Sequence, residues 1–269
     1  MMTTGISSNL WRVLTLLMGF LFGIYVAVFL HECGHALGAL LHGDRVYAVV
    51  MQIPAPAGYV QASNQSWMLT CGGVVFGTLF SLVPFLLARC FPKKSVSRFA
   101  ALMVAALCLA HNGLYLSVGS VAPFADAAGM VALGVPKLLL FVLGVPLLAG
   151  FVVILSRAIA MVGCPPADPL WKWIAVVELG LMPLPTAAVV ATVMALGQQH
   201  GATVLPMILW GAVYAAGFAI AALRARSAKG DRDANSENSL LPQRWSATLT
   251  LLASVVLVLA LEWLVSRPV

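Results

Sequence analysis

The chain has 269 residues, of which 61% are hydrophobic and only 9% charged, with a mean hydropathy of +0.98 and a net charge of +6. A soluble domain carries about 25% charged residues, so this composition excludes an ordinary water-soluble enzyme. The basic surplus does not mark a nucleic-acid binder either, because no basic stretch is interleaved with aromatics on a soluble module.

Apolar runs long enough to cross a bilayer recur along the length. They predict an all-α, multi-pass integral membrane protein with about seven spans, near residues 11–41, 67–91, 98–119, 136–162, 171–196, 203–225 and 246–265. The first run is too long for the apolar region of a secretory signal. It also carries His31, Glu32 and His35 where a cleavage site would fall, so it reads as a span.

The segment after it, GDRVYAVVMQIPAPAGYVQAS at 43–63, is rich in Val, Tyr and Ile and broken by Pro-Ala-Pro-Ala-Gly. That pattern predicts a short membrane-associated β-hairpin. An unpaired strand edge beside a catalytic helix could hold an extended peptide by strand addition. The second span opens with SWMLTCGGVVFG, in which Gly73 and Gly77 have the G-x-x-x-G spacing that lets helices approach closely in lipid. Packing is the expected role of these glycines.

Further along, the polar stretch SAKGDRDANSENS at 227–239 reads as a flexible cytoplasmic loop before the last span. Five cysteines are scattered without a C-x-x-C pair, so neither a disulfide framework nor a thiolate metal site is expected. Seven spans divide the fifteen Lys and Arg residues unequally. Arg12, Arg89, Lys93, Lys94, Arg98, Arg157, Lys172, Arg224, Arg226, Lys229, Arg232 and Arg244 fall on one side, and Arg45, Lys137 and Arg267 on the other. The excess of basic residues on cytoplasmic loops then places the N-terminus inside, with His31 and His35 toward the outer side.

The chemistry is concentrated in the first span. HECGH, residues 31–35, is an H-E-x-x-H sequence. Positions i and i+4 share one helix face, so His31 and His35 can reach one metal ion, and neutral imidazoles suit Zn²⁺. Glu32 is placed to move a proton between water and a leaving amine. Titratable groups inside an apolar helix are expensive, which argues for function over helix glue.

A catalytic zinc usually has three protein ligands, so a third must come from elsewhere. Asp126, in VAPFADAAGMVALG, and Glu178, inside an apolar span, are the candidates among the acids. His42 falls one residue beyond the third-ligand position of the metzincin pattern and is not expected to ligate. His111 could be a ligand, a substrate contact or a buried hydrogen-bonding side chain, and His200 sits in a short connector.

Taken together, HECGH late in the first span, a hairpin-like segment, paired glycines opening the second span and an Asp after the third resemble the site-2 protease family of intramembrane zinc metalloproteases. The resemblance covers residues 11–135. It implies a three-helix metalloprotease-like core, assigned to 1–135; the remaining spans over 136–269 carry no motif and are expected to form an accessory transmembrane bundle or a substrate gate. It also implies one Zn²⁺ per chain held by His31, His35 and Asp126, with Glu32 as general base. Asn112, in LAHNGLYL, resembles the family's polar Asn and could bond the tetrahedral intermediate or orient substrate. The expected activity is zinc-dependent endoproteolysis of membrane-protein or peptide substrates in the lipid bilayer of a bacterial cell membrane. The alternative from a different class is a transporter or a catalytically silent metal-binding scaffold. A transporter predicts polar residues spread over several helices, whereas here they concentrate in one motif.

Overall fold

The computed structural model describes residues 4–52, 57–121, 125–162, 205–230 and 253. It is mostly helical, in the order α1 (Thr4–His42), β1 (Val46–Gln52), β2 (Ala57–Ala62), α2 (Trp67–Cys90), α3 (Val96–Val121), α4 (Ala125–Ala132), α5 (Lys137–Val162) and α6 (Leu205–Gly230). Four helices, α1, α2, α3 and α5, are long and apolar enough to cross a membrane. The span expected near 203–225 is helix α6, whose apolar part is the shorter Ala212–Ala225. The span expected at 171–196 lies outside the described residues, as do Glu178, His200 and, apart from residue 253, the span expected at 246–265. Of the loop expected at 227–239, residues 227–230 instead continue helix α6, and 231–239 lie outside the described residues.

Glycine spacing sets how the helices meet. Gly34 and Gly38 repeat the G-x-x-x-G interval on α1, and they face Gly72, Gly73 and the Met68 carbonyl on α2. A Cβ on Gly34 would stand 2.7 Å from the Gly72 carbonyl oxygen, so the two backbones touch where side chains would normally hold them apart. The N-terminal half of α1 turns instead toward α3, where Gly19 and Gly23 admit Phe99, Met103 and Leu107. Helix α3 is the central element, packed by α1, α2, α4, α5 and α6. Phe99, Met103, Leu107 and Leu114 along it are fully buried.

The outward faces of α2 and α5 are apolar. Val75, Leu79, Leu82, Val83 and Leu86 on α2 are exposed, as are Leu138, Phe141, Val142 and Val145 on α5. Such a continuous surface would aggregate in water but matches lipid tails.

Local signals mark the ends of α1 and α4 and the starts of α2 and α3. Gly43 closes α1 at φ +90°, a conformation that favours glycine, and Gly134 does the same after α4 at φ +89°. The Ser66 hydroxyl caps α2 by accepting from the Leu69 amide at 3.1 Å, and that of Ser95 caps α3 by accepting from the Arg98 amide at 3.2 Å.

The expected hairpin is present. Strands β1 and β2 pair antiparallel, with Val49 opposite Val60, Val50 opposite Tyr59 and an irregularity between Val46 and Ala48. Its base is tied to the end of α1 through Asp44, whose carboxylate accepts from Asn64 at 2.9 Å and meets His42 Nδ1 at 3.2 Å. Hydrogen bonding from Asn64 first, then from Ser66, holds the Asp44 carboxyl below its ordinary pKa.

Candidate metal centre

Helix α1 supplies the first side chains. His31 and His35 lie one turn apart, and both are buried despite their polarity. Their Nε2 atoms stand 3.2 Å from each other. The helical interval alone brings them onto one face, as the H-E-x-x-H spacing predicts. Asp126, in the first turn of α4, completes the cluster: its Oδ2 is 2.8 Å from Nε2 of His31 and 3.1 Å from Nε2 of His35.

The far nitrogens are held from behind. Nδ1 of His35 lies between the Leu69 carbonyl oxygen and the Gly73 amide, the latter at 3.3 Å. Nδ1 of His31 lies 2.8 Å from Oδ1 of Asn112. Both Nε2 atoms and a carboxylate oxygen thus face one point. Three such atoms this close need a shared proton or a metal cation among them. The arrangement is what a metal site requires: ligand atoms facing inward, with each His fixed from behind by an oxygen. His31, Glu32 and His35 also offer ligand atoms within 4.8 Å of one another, so the HECGH turn by itself could hold a metal ion.

Clearance at the site comes from α2. A Cβ on Gly73 would overlap Nε2 of His35 and lie 2.7 Å from Nε2 of His31. The sequence assigns this glycine to helix packing. The structure gives it a second task, because any side chain there would fill the space between the two imidazoles. Gly77, one turn on, lies against the amide of Asn112 and the backbone of His31.

Asn112 is buried, and its Oδ1 lies 2.8 Å from Nδ1 of His31, on the side of the ring away from Asp126. His111, beside it, does not join the three converging atoms. Its ring packs edge-on against His31 at 4.8 Å between centroids and against Tyr115 at the same separation. Tyr115 stacks flat on His31, with centroids 5.0 Å apart and planes 9° from parallel. One face of α3 thus holds His31 by a hydrogen bond, a stacked ring and an edge contact. The sequence LAHNGLYL carried this information as the intervals i, i+1 and i+4, which place these three residues on neighbouring positions of one helix.

Glu32 lies beside the two histidines and under the hairpin. It is buried, and its Oε2 has no hydrogen-bond partner among the described residues. The hairpin lies against it: a Cβ on Gly58 of β2 would stand 2.7 Å from Cγ of Glu32. Met51 of β1 is buried in the same place, with its sulfur 3.0 Å from that Cβ position. A carboxylate with an uncommitted oxygen, next to a metal-competent cluster and under a strand, is equipped to accept a proton from something brought to it. His42 is not part of the cluster and is occupied by Asp44 at the helix end.

Comparison with known proteins returned no matching family model, no significantly similar curated protein and no significantly similar solved structure. The reading of the site therefore rests on its own chemistry.

Proposed function

We propose that this chain is a zinc-dependent intramembrane endopeptidase of the site-2 protease type. The observation that carries the reading is the convergence of Asp126 Oδ2 on both Nε2 atoms, at 2.8 and 3.1 Å, while each Nδ1 is tied to an oxygen on its other side. Two imidazoles and one carboxylate are a common catalytic zinc donor set, and they leave a position open for water or substrate. The chemistry zinc supplies at such a site is activation of water and polarisation of a carbonyl.

The remaining steps belong to the protein. Glu32 receives the proton of the attacking water at its uncommitted oxygen and returns it to the leaving amine. Asn112, Tyr115 and the Leu69 carbonyl keep the imidazoles in the orientation the site needs. A peptide bond inside a helix is shielded by its own hydrogen bonds, so the substrate must present an extended stretch. Strand β2, with Gly58 against Glu32, offers backbone groups for that stretch beside the base.

Reconstitution in vesicles with a set of single-span test proteins examines this directly. Wild-type chain is expected to cut at least one of them, to lose activity on chelation and to recover it with zinc at one ion per chain. Glu32→Gln should lower the rate by about 10²–10⁴-fold, the contribution typical of a general base, while zinc content is unchanged. Undiminished cleavage by Glu32→Gln would eliminate the mechanism. A wild-type chain that binds zinc yet cuts nothing in the set would favour a metal-binding scaffold.

A further inference from the structure

We infer that Gly129 of α4 and Thr70 of α2 form the seat that holds Asp126 at ligand distance from His31 and His35. Both are positioning residues, and neither supplies a ligand atom. The inference rests on the donor set described above and not on the peptidase assignment.

Asp126 stands on a short carrier. It is the second residue of α4, a helix of eight residues. A helix this short is not stable alone, so what α4 packs against sets where the carboxylate goes. Residues i, i+3 and i+4 share a helix face, and from Asp126 these are Gly129 and Met130. Met130 is buried in an apolar cluster with Val74 of α2, Leu116 of α3 and Leu140 of α5. Apolar burial holds α4 down but has no direction of its own. Gly129 gives the direction. A Cβ on it would stand 2.6 Å from Cγ2 of Thr70 and 3.9 Å from Cβ and Oγ1 of the same residue. One methyl group of α2 thus occupies the place where a side chain of α4 would be.

Thr70 is held still. It is β-branched, and its hydroxyl donates to the Ser66 carbonyl at 3.2 Å, which fixes the branch that faces α4. Its neighbour Leu69 supplies the carbonyl that meets Nδ1 of His35, and Gly73 gives His35 its clearance. Residues 69–73 of one helix therefore touch both a ligand of α1 and the helix that carries Asp126. The separation of the two ligands is set within that stretch.

Glycine is a poor choice for position 129 on helix grounds alone, because only proline forms helices less well. Unlike Gly43 and Gly134, Gly129 does not occupy a positive φ, so no turn demands it. The demand is for space. Carbon atoms in contact rest about 3.5–4.0 Å apart, so a methyl at 129 would push α4 from α2 by about 1 Å. Oδ2 of Asp126 lies 2.8 and 3.1 Å from the two Nε2 atoms, and constellations of this kind tolerate only about 0.5 Å of misplacement. Such a retreat withdraws the third ligand while α1 keeps the histidines in place.

A double-mutant cycle tests the contact on metal binding, without any cleavage. Full-length chain in detergent is titrated with zinc against a chromogenic chelator. The effect of Gly129→Ala is measured twice, in the native chain and in Thr70→Ser, which lacks Cγ2 and keeps the hydroxyl. In the native chain the expected loss of affinity is about 10–100-fold, the range for removing a group that orients a ligand. In Thr70→Ser the loss should shrink to about threefold or less, because the colliding methyl is gone. Cobalt-loaded chain gives a second readout. The visible absorption of Gly129→Ala should shift toward that of Asp126→Ala, and that of the double variant should return toward the native spectrum. No loss in the native chain, an equal loss in both backgrounds, or an unshifted cobalt spectrum overturns the proposal. Should Gly129→Ala fail to insert, zinc binding by the double variant upholds the contact, and failure of both overturns it. A native chain that binds neither ion overturns the donor set and this inference together. A chain that binds zinc and follows the cycle but cuts no peptide removes only the peptidase reading.

Discussion

Helices α3 and α5 lie side by side and follow opposite rules. In its most apolar window α5 is only 28% buried, whereas the corresponding window of α3, the least apolar of the four spanning-length helices, is 83% buried. The polar side chains His111, Asn112, Ser117 and Ser120 are all buried on α3. In water the order would be reversed. In lipid, apolar side chains gain little by turning inward, and polar ones must be satisfied by other protein groups. Ser117 does so by donating to the Gly113 carbonyl at 2.6 Å, and Ser120 by donating to the Ser117 carbonyl at 2.7 Å. Polarity in this molecule therefore marks the inside, and the inside is where the site was built.

The sharpest way to break the comparison is to add one carbon on the buried side. Gly73→Ala places a methyl between the two imidazoles and should cost more than 100-fold in zinc affinity, measured by competition with a chromogenic chelator. Fold and membrane insertion should persist, since the overlapping atoms are side-chain nitrogens. Near-native affinity would mean that the imidazoles diverge more than they do here. A comparable loss is expected in stability from Leu107→Ala. That side chain is fully buried on α3, and a cavity there should lower unfolding free energy by about 2–5 kcal/mol in detergent.

A smaller effect is expected behind the ligands. Asn112→Ala removes the acceptor for His31 Nδ1 and frees the ring to turn, which should lower metal affinity about 10–100-fold. Cobalt substitution would show the change as a shifted visible absorption even where activity is low. Tyr115→Phe keeps the stacked ring and should retain the native cobalt spectrum. Tyr115→Leu loses the stack and should weaken affinity by about 2–10-fold, the range of an aromatic contact worth roughly 0.5–1.5 kcal/mol. Equal effects of Phe and Leu would show that the hydroxyl, not the ring, matters.

Much of this was legible in the residues because the strongest signals are local. Apolar run length gave α2, α3 and α5 to within two residues at each end, while α1 ends one residue past the expectation and begins seven residues before it, and the H-E-x-x-H interval put His31 and His35 on one face. The Val, Tyr and Ile residues on either side of Pro-Ala-Pro-Ala-Gly gave the hairpin. What the residues could not give is what depends on which helix lies beside which. Gly73 reads as packing until His35 is known to stand opposite it. The contact of Asn112 with His31 depends on α3 passing behind that ring. Asp126 and Glu178 are both acids in an apolar chain, and only the short path from α3 into α4 brings Asp126 to the histidines. The placement of Glu178 lies outside the described residues.

The smallest expected effect tests the lipid side of the comparison. Val142 on α5 is more than half exposed, and its methyls touch what would be acyl chains. Val142→Ala exchanges contacts with lipid for contacts with lipid, so it should change stability by no more than about 0.5 kcal/mol. Thermal unfolding of the two chains in the same detergent makes the measurement. A loss near the 2–5 kcal/mol expected for Leu107→Ala would show that this face of α5 is covered by protein. The rule drawn from α3 and α5 would then describe a larger bundle, in which the apolar surface of α5 is an interior one.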